Sequence, residues 1–219
     1  MPSNSERIRR RIEIARPQLQ KASLAFWEHE RMPELFPEYQ FSGYCISRAL
    51  VQGLAVASAG ARRLPASDAV AARLADYYDR HIPEETGHDD MILEDIEALG
   101  GDRTEVLGRM PSPAVAALVG AQYYWSYHHH PIAFMGYLVV LETDISESMM
   151  EEIIERTGLP RKAFRFLLFH ARVEPGHIRD IDRTLDSLPL REKHFQIMAI
   201  SAFTTLTLAT RVYEDICRR

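Results

Sequence analysis

Cysteine is nearly absent from this 219-residue chain: only Cys45 and Cys217 are present. That excludes a disulfide framework and a thiolate metal site, and it fits a reducing, cytoplasmic setting. The N-terminus has no apolar leader-like run. The most apolar late stretch, Ile197 to Ala209, is interrupted by Ser201, Thr204, Thr205 and Thr207 and is too short to span a bilayer, so a buried helix and no membrane association are expected. Basic excess is also lacking. A formal net charge of -5 leaves no electrostatic footprint for nucleic acid. The basic cluster Arg7, Arg9, Arg10 and Arg11 alternates with Ile8 and Ile12, as the solvated face of a helix would. Alternating β-branched runs with hairpin turns are missing, which argues against a sheet. So are fixed-period repeats and Pro/Gly/Ser-rich linkers, so residues 1–219 are read as one domain.

What the chain does have is apolar residues recurring at three- and four-residue steps, with 46% hydrophobic residues overall, enough for a sizeable core. The expectation is an all-α bundle. Breaks are legible at Pro33 to Pro37, around Pro65, at Gly100-Gly101, Pro111 to Pro113, Pro131, Gly158 to Pro160 and Pro189. They divide the chain into about seven or eight helices. Ser67-Asp68 before the Val70 to Tyr78 run, Ser112 before Pro113, and Gly158 after Met149 to Ile154 supply start and stop signals.

Two segments carry the same pattern of metal-binding side chains: His81, Glu85, His88 and His170, Glu174, His177. Offsets of four and three residues put all three side chains within roughly 60° of arc on a helix. Two such helices facing one another would form a shared metal centre, and mixed imidazole and carboxylate donors suit non-haem iron better than structural zinc or calcium. Glu85/His88 and Glu174/His177 each have the Glu-x-x-His spacing by which di-iron bundles bind two metals. His81 is the doubtful member, because Pro83 stands between it and Glu85 and tends to kink a helix. The apolar run Phe164 to Phe169 implies a buried helix around His170, whose alternative role is a core histidine bonded to a backbone carbonyl.

Glu142 ends a strongly apolar helix that starts at Pro131, either as a metal ligand or where the helix reaches solvent with Asp144 and Glu147. Tyr123, Tyr124, Trp125 and Tyr127, followed by His128, His129 and His130, read as a core stripe or a pocket wall. Three adjacent histidines point in different directions and cannot all serve one metal. Tyr137, one turn before Leu141, is a candidate hydrogen-bond donor or redox-active phenol.

The combination of His81 to Gly100, Gln122 to Glu142 and Phe166 to His177 resembles the haem-oxygenase-like di-iron oxidases, a group described as iron-containing redox enzymes that shares its fold with thiaminase II and pyrroloquinoline-quinone synthase proteins. The resemblance implies a haem-oxygenase-like helical bundle and two Fe(II) per chain held by Glu85, His88, Glu142, His170, Glu174 and His177. It also implies a homodimer and oxidation of a small amino-acid-like or fatty-acid-like metabolite by dioxygen. The outcomes it suggests are N-oxygenation, C–H abstraction with desaturation, or C–C cleavage. Two departures stand out. The family commonly has aspartate where this chain has Glu174, and some members take a further carboxylate from an earlier helix, where the Leu50 to Ala61 stretch offers only Gln52. Arg172, with Arg179, flanks the last motif and is a candidate anchor for a substrate carboxylate.

Two other functions fit the same residues. A metal-independent, thiaminase-like or cofactor-biosynthesis enzyme would use the histidines as acids and bases but needs a cysteine nucleophile, and Cys45 lies away from the motifs. A ferritin-like iron carrier would share the two Glu-x-x-His motifs but lacks its first-helix carboxylate.

Overall fold

A computed structural model describes residues 2–142 and 146–219. Among the described residues there is no strand, and eleven α-helices and one 3-10 turn account for the fold. They are α1 (Asn4–Ile12), α2 (Arg16–Trp27), α3 (Met32–Arg62), α4 (Ala71–Glu85), α5 (His88–Ala98), α6 (Arg103–Gly108), α7 (Pro113–His128), α8 (Ala133–Leu141), α9 (Glu147–Thr157), α10 (Arg165–Ser187) and α11 (Glu192–Cys217), with the 3-10 turn at Arg161–Phe164. The count exceeds the expected seven or eight. Short turns after Ile12, after Trp27 and at Thr86-Gly87 divide segments that lack a strong breaker.

Local chemistry explains most ends. Ser3 and Glu6 form a capping box on α1, and Ser112 caps α7 with Pro113 in its first turn. Gly158 closes α9 with φ +67°, a left-handed conformation that costs glycine nothing. The start of α4 differs from expectation: neither Ser67 nor Asp68 is its cap. The cap position is Val70, and Asp68 instead accepts the Val70 N–H at 3.0 Å as an Asx turn two residues earlier. Pro33 to Pro37 does not break a helix but begins one. Pro33 lies in the first turn of α3, and the helix continues through Pro37 for 31 residues.

Two long helices organise the packing: α3 lies against α4, α5 and α7, and α11 lies against α8, α2 and α7. Between them α8 is buried along Ala133 to Val140. It approaches α11 closely because residue 136 is glycine. A Cβ there would meet Met198 backbone, with the carbonyl carbon at 2.9 Å and Cα at 3.1 Å. α11 is the one described helix long and apolar enough by composition to cross a membrane, but half of its most apolar window is buried inside the protein. At 26 residues it extends well beyond the Ile197 to Ala209 stretch, and Phe195, Met198, Ala202 and Leu206 belong to the largest core cluster.

The arginines of α1 are not simply solvated. Arg9 pairs with Asp182 at 2.8 Å, Arg11 with Glu192 at 2.8 Å, and the Arg7 guanidinium lies 3.8 Å from the centre of the Phe195 ring. With Ile8 and Ile12 fully buried beneath them, they fasten α1 across α10 and α11. The aromatic run at the end of α7 divides: Tyr124 and Tyr127 are 52% and 67% exposed, while Tyr123 and Trp125 are half-buried, and none of the four lines the main cavity.

Candidate metal centre

The first motif is not one continuous helix. His81 and Glu85 share the last turns of α4, the chain reverses at Gly87 with φ +93°, and His88 is the first residue of α5. The Glu85/His88 pair therefore meets across a glycine turn, where the left-handed backbone returns His88 toward Glu85. Pro83 does not separate His81 from the site, since α4 runs through it. The second motif lies on one helix, α10, which likewise continues through Pro175. Glu142 follows the last residue of α8, 5% exposed, and has not reached solvent.

These elements bring six expected side chains together in two donor sets that share one carboxylate, with Glu174 adjoining. His81, Glu85, Glu142 and His177 form the first, and Glu85, His88 and His170 the second. In the first, His81 Nε2 lies 3.4 Å from Glu142 Oε1 and 3.7 Å from Glu85 Oε1. From the opposite helix, His177 Nδ1 lies 3.3 Å from Glu142 Oε2 and 3.7 Å from Glu85 Oε1. In the second, Glu85 Oε2 is 2.9 Å from His88 Nδ1, which is 3.3 Å from His170 Nε2. Glu85 thus turns one oxygen to each set. Glu174, 2% exposed, bonds to His170 Nδ1 at 2.9 Å and also to the Glu142 carboxyl. α3 contributes no donor to either set among the described residues, and Gln52 is exposed.

The donor atoms of each set converge on one point. His81 Nδ1 and Glu84 Oε2 are 2.9 Å apart, which holds one ring proton on Nδ1 and turns Nε2 toward the carboxylate oxygens of Glu142 and Glu85. His81 Nε2 and Glu85 Oε1 are both buried without a hydrogen-bond partner. An imidazole nitrogen and carboxylate oxygens buried face to face need a proton or a metal cation between them. The charge states show that this pocket favours a cation. Burial opposes a charge on His81, but Glu142, Glu85 and Glu84 push its pKa up to about 9, so without a metal the ring is protonated at pH 7 and a bound cation would take the place of the Nε2 proton. Glu142 is held well below the usual carboxylate range by His177, His81 and Glu174 in spite of its burial. Burial, reinforced by the neighbouring His88 and His177, pushes His170 down to about 4, so its ring is neutral and able to donate a lone pair at pH 7. Imidazole and carboxylate donors in these proportions, with an open cavity beside them, fit non-haem iron.

Glu84 escaped the sequence reading. It supports His81 through Nδ1 and lies 4.0 Å from His177 Nε2, behind both imidazoles of the first set. Its only signal was adjacency to Glu85. Asp95 escaped too. Fully buried on α5, it accepts the Phe166 N–H at 3.0 Å and so ties the helix carrying His88 to the first turn of the helix carrying His170 and Glu174. Burial pushes its carboxyl up to about 6.

Arg172 is not at the site. Its side chain is 63% exposed and pairs with Glu147 at 2.6 Å on the outer surface, and Arg179 is exposed as well. Tyr137 is buried on α8. Burial, with Tyr123, Glu142 and Glu85 nearby, pushes its phenol far above the ordinary range, so it keeps its proton. His128 and His129 are exposed, whereas His130 is buried in a separate cluster with Asp68 and His194. There His130 Nδ1 accepts the Ile132 N–H and His194 Nδ1 the Arg191 N–H, both at 3.1 Å. The protons then sit on the two Nε2 atoms, of which His130 Nε2 lies 3.4 Å from Asp68, making this a hydrogen-bonded clamp between loops rather than a set of free metal donors.

A cavity of about 590 Å³ opens onto the two donor sets, with Glu85, Glu142, His170 and Glu174 in its wall. Most of the remaining surface is apolar, including Ile46, Leu50, Val140 and Leu167. Residues 50–209 match the family of iron-containing redox enzymes. The chain belongs to that family. A domain of unknown function with a heme oxygenase-like fold from Shewanella denitrificans superposes with a TM-score of 0.80 at 18% identity, covering 96% of this chain and 90% of that one. A TenA homolog from Pseudomonas syringae pv. tomato gives 0.72 at 13% identity, covering 100% and 94%. These likenesses establish the heme oxygenase-like all-α fold. No curated protein matches the sequence. The family match spans every helix that supplies a donor and leaves out α1 and α2.

Proposed function

We propose that this member of the iron-containing redox enzymes is a dioxygen-dependent, non-haem di-iron oxidase of a small metabolite. The observation that carries the reading is the Glu85 carboxylate, which turns one oxygen toward each of two buried donor sets. His81, Glu142 and His177 would hold one iron, His88 and His170 the other with Glu174 adjoining, and Glu85 would join them. Two Fe(II) ions bound there would supply the electrons that reduce dioxygen and the oxidant that attacks the substrate.

The chain's own groups prepare that chemistry. With a metal bound, Glu84 would keep the His81 proton on Nδ1 and leave the Nε2 lone pair to the metal. Glu174 does the same for His170, whose Nε2 faces His88. The largely apolar cavity beside the carboxylates would take up the hydrocarbon part of a substrate. Tyr137 remains a phenol beside the carboxylates. Substrate oxidation by N-oxygenation, desaturation or C–C cleavage is the range this reading allows.

A thiaminase-like reaction needs a thiol in the cavity. Neither cysteine lines it, and burial pushes Cys45 up to about 11, so the thiolate is scarce at pH 7. The test is anaerobic reconstitution with Fe(II) followed by metal analysis and Mössbauer spectroscopy. About two irons per chain in a coupled pair are expected. Fewer than one iron per chain, unchanged by His88→Ala or His177→Ala, would overturn the proposal, and growth of a mineral core without substrate oxidation would make the protein an iron store.

A further inference from the structure

The cavity has a second polar wall, on α2, which lies outside the family-matched residues. Arg16, Gln20, Ser23 and Trp27 succeed one another at three- and four-residue steps along α2 and all line it. Among the described residues Arg16 is the only cationic side chain of that lining that is not a histidine. Its side chain is 20% exposed, yet among the described residues its single ion pair runs from Nε to Glu13 at 3.7 Å, and Glu13 is itself 69% exposed. That distance is beyond a charge-assisted hydrogen bond, and an exposed pair of this kind contributes little. A guanidinium has five N–H donors in a planar fork matched to an oxyanion, and among the described residues none of these makes a hydrogen bond. Burial weakens its hold on the proton, with Arg9 adding a like charge. The charges near it are Glu13 and Arg9, not the carboxylates of the metal centre.

We infer that Arg16 is the specificity-determining anchor for an anionic head group, so that an amphipathic substrate lies with its acid at α2 and its apolar stem toward Glu85, Glu142 and Glu174. The wall between, with Leu19, Ile46, Leu50 and Val140, offers the stem hydrocarbon contacts and no counter-charge. This rests on reading the cavity as the substrate site. It assigns the head-group role to Arg16 instead of Arg172, and it directs oxidation away from the acid end.

Isothermal titration calorimetry with decanoate, decylamine and decanol tests it, using the full-length protein with and without Fe(II). Decanoate is expected to bind at one site at least about tenfold more tightly than decanol or decylamine, the scale of one charge-assisted contact. Arg16→Gln should lower decanoate affinity to the decanol level and leave decanol binding unchanged, which also reports that the variant is folded. Trp27 fluorescence should respond to decanoate in the wild type, placing the ligand in this cavity. Decanoate binding no tighter than decanol in the wild type, or binding unaltered in Arg16→Gln, would overturn the inference, and the wild-type series decides even if the variant does not fold. Iron per chain, measured on the same preparations, separates this from the di-iron reading. Iron loading without an anion preference refutes only the anchor, and an Arg16-dependent preference without iron loading refutes only the di-iron centre.

Discussion

Replacing Gly136 with alanine is expected to strain the helix pair that carries one edge of the metal centre. In the wild type the α8–α11 crossing brings Met198 so close that an added methyl would meet three of its backbone atoms, including Cα at 3.1 Å and the carbonyl carbon at 2.9 Å. A backbone obstacle cannot rotate away, so the overpacking cost falls toward the upper end of the usual range, about 3 kcal/mol. Alanine returns about 1 kcal/mol in helix propensity over glycine. The net loss is about 2 kcal/mol, or roughly 4–8 °C in Tm for a chain of this size. Gly120 on α7 is the control, because a methyl there meets nothing within 4 Å, and Gly120→Ala should leave stability unchanged or raise it by up to about 1 kcal/mol. Thermal and urea unfolding of metal-free protein measures both. Because Glu142 directly follows α8, Gly136→Ala should also weaken iron binding at the His81/Glu142/His177 set more than at the other. A Gly136→Ala protein as stable as wild type, or equal losses in the two variants, would refute the packing argument.

Glu85→Gln should reduce iron from about two per chain to less than one, because a single carboxylate serves both donor sets, and metal analysis after gel filtration checks it. Glu84→Gln should keep the stoichiometry but weaken the metal at the first set by roughly 10- to 100-fold, the usual effect of losing the carboxylate behind a ligating histidine; competition with a chelator measures it. Asp95 makes a pH prediction. Its folded pKa, about 6, lies above the unfolded value, so its contribution to stability is full below pH 3.8 and is lost as pH rises through 6. The span is at most about 3 kcal/mol. Urea unfolding of metal-free Asp95→Asn between pH 4 and 7 should show a flatter profile than wild type. Arg172→Ala should change neither iron content nor ligand binding and should shift stability by no more than about 0.5 kcal/mol, since it removes only an exposed pair.

The donors were legible because helical periodicity is written along the chain. His170, Glu174 and His177 recur at offsets that one helix turns to a single side, and α10 does so. Glu142 was legible as the one acid ending an apolar run, since a buried carboxylate needs a partner. Periodicity misled at Glu85 and His88, where the matching offset spans a left-handed glycine instead of a helical turn, and at Pro83, which α4 absorbs. Glu84 and Asp95 did not stand out, because acids are frequent on helix surfaces. Glu84 meets His81 one turn earlier on α4, but only the crossing of α4 with α10 brings it His177, and only the packing of α5 against α10 gives Asp95 its backbone partner.

The sequence by itself determined the helical class, the family and which residue types could bind iron, since these depend on composition and on spacing within single segments. The tertiary structure alone decided that Glu85 faces both donor sets, that His81 belongs to one of them, that Arg172 faces solvent and that Arg16 faces the cavity. Each of those depends on which helices lie side by side, and contacts between residues a hundred positions apart leave no periodic trace in the chain.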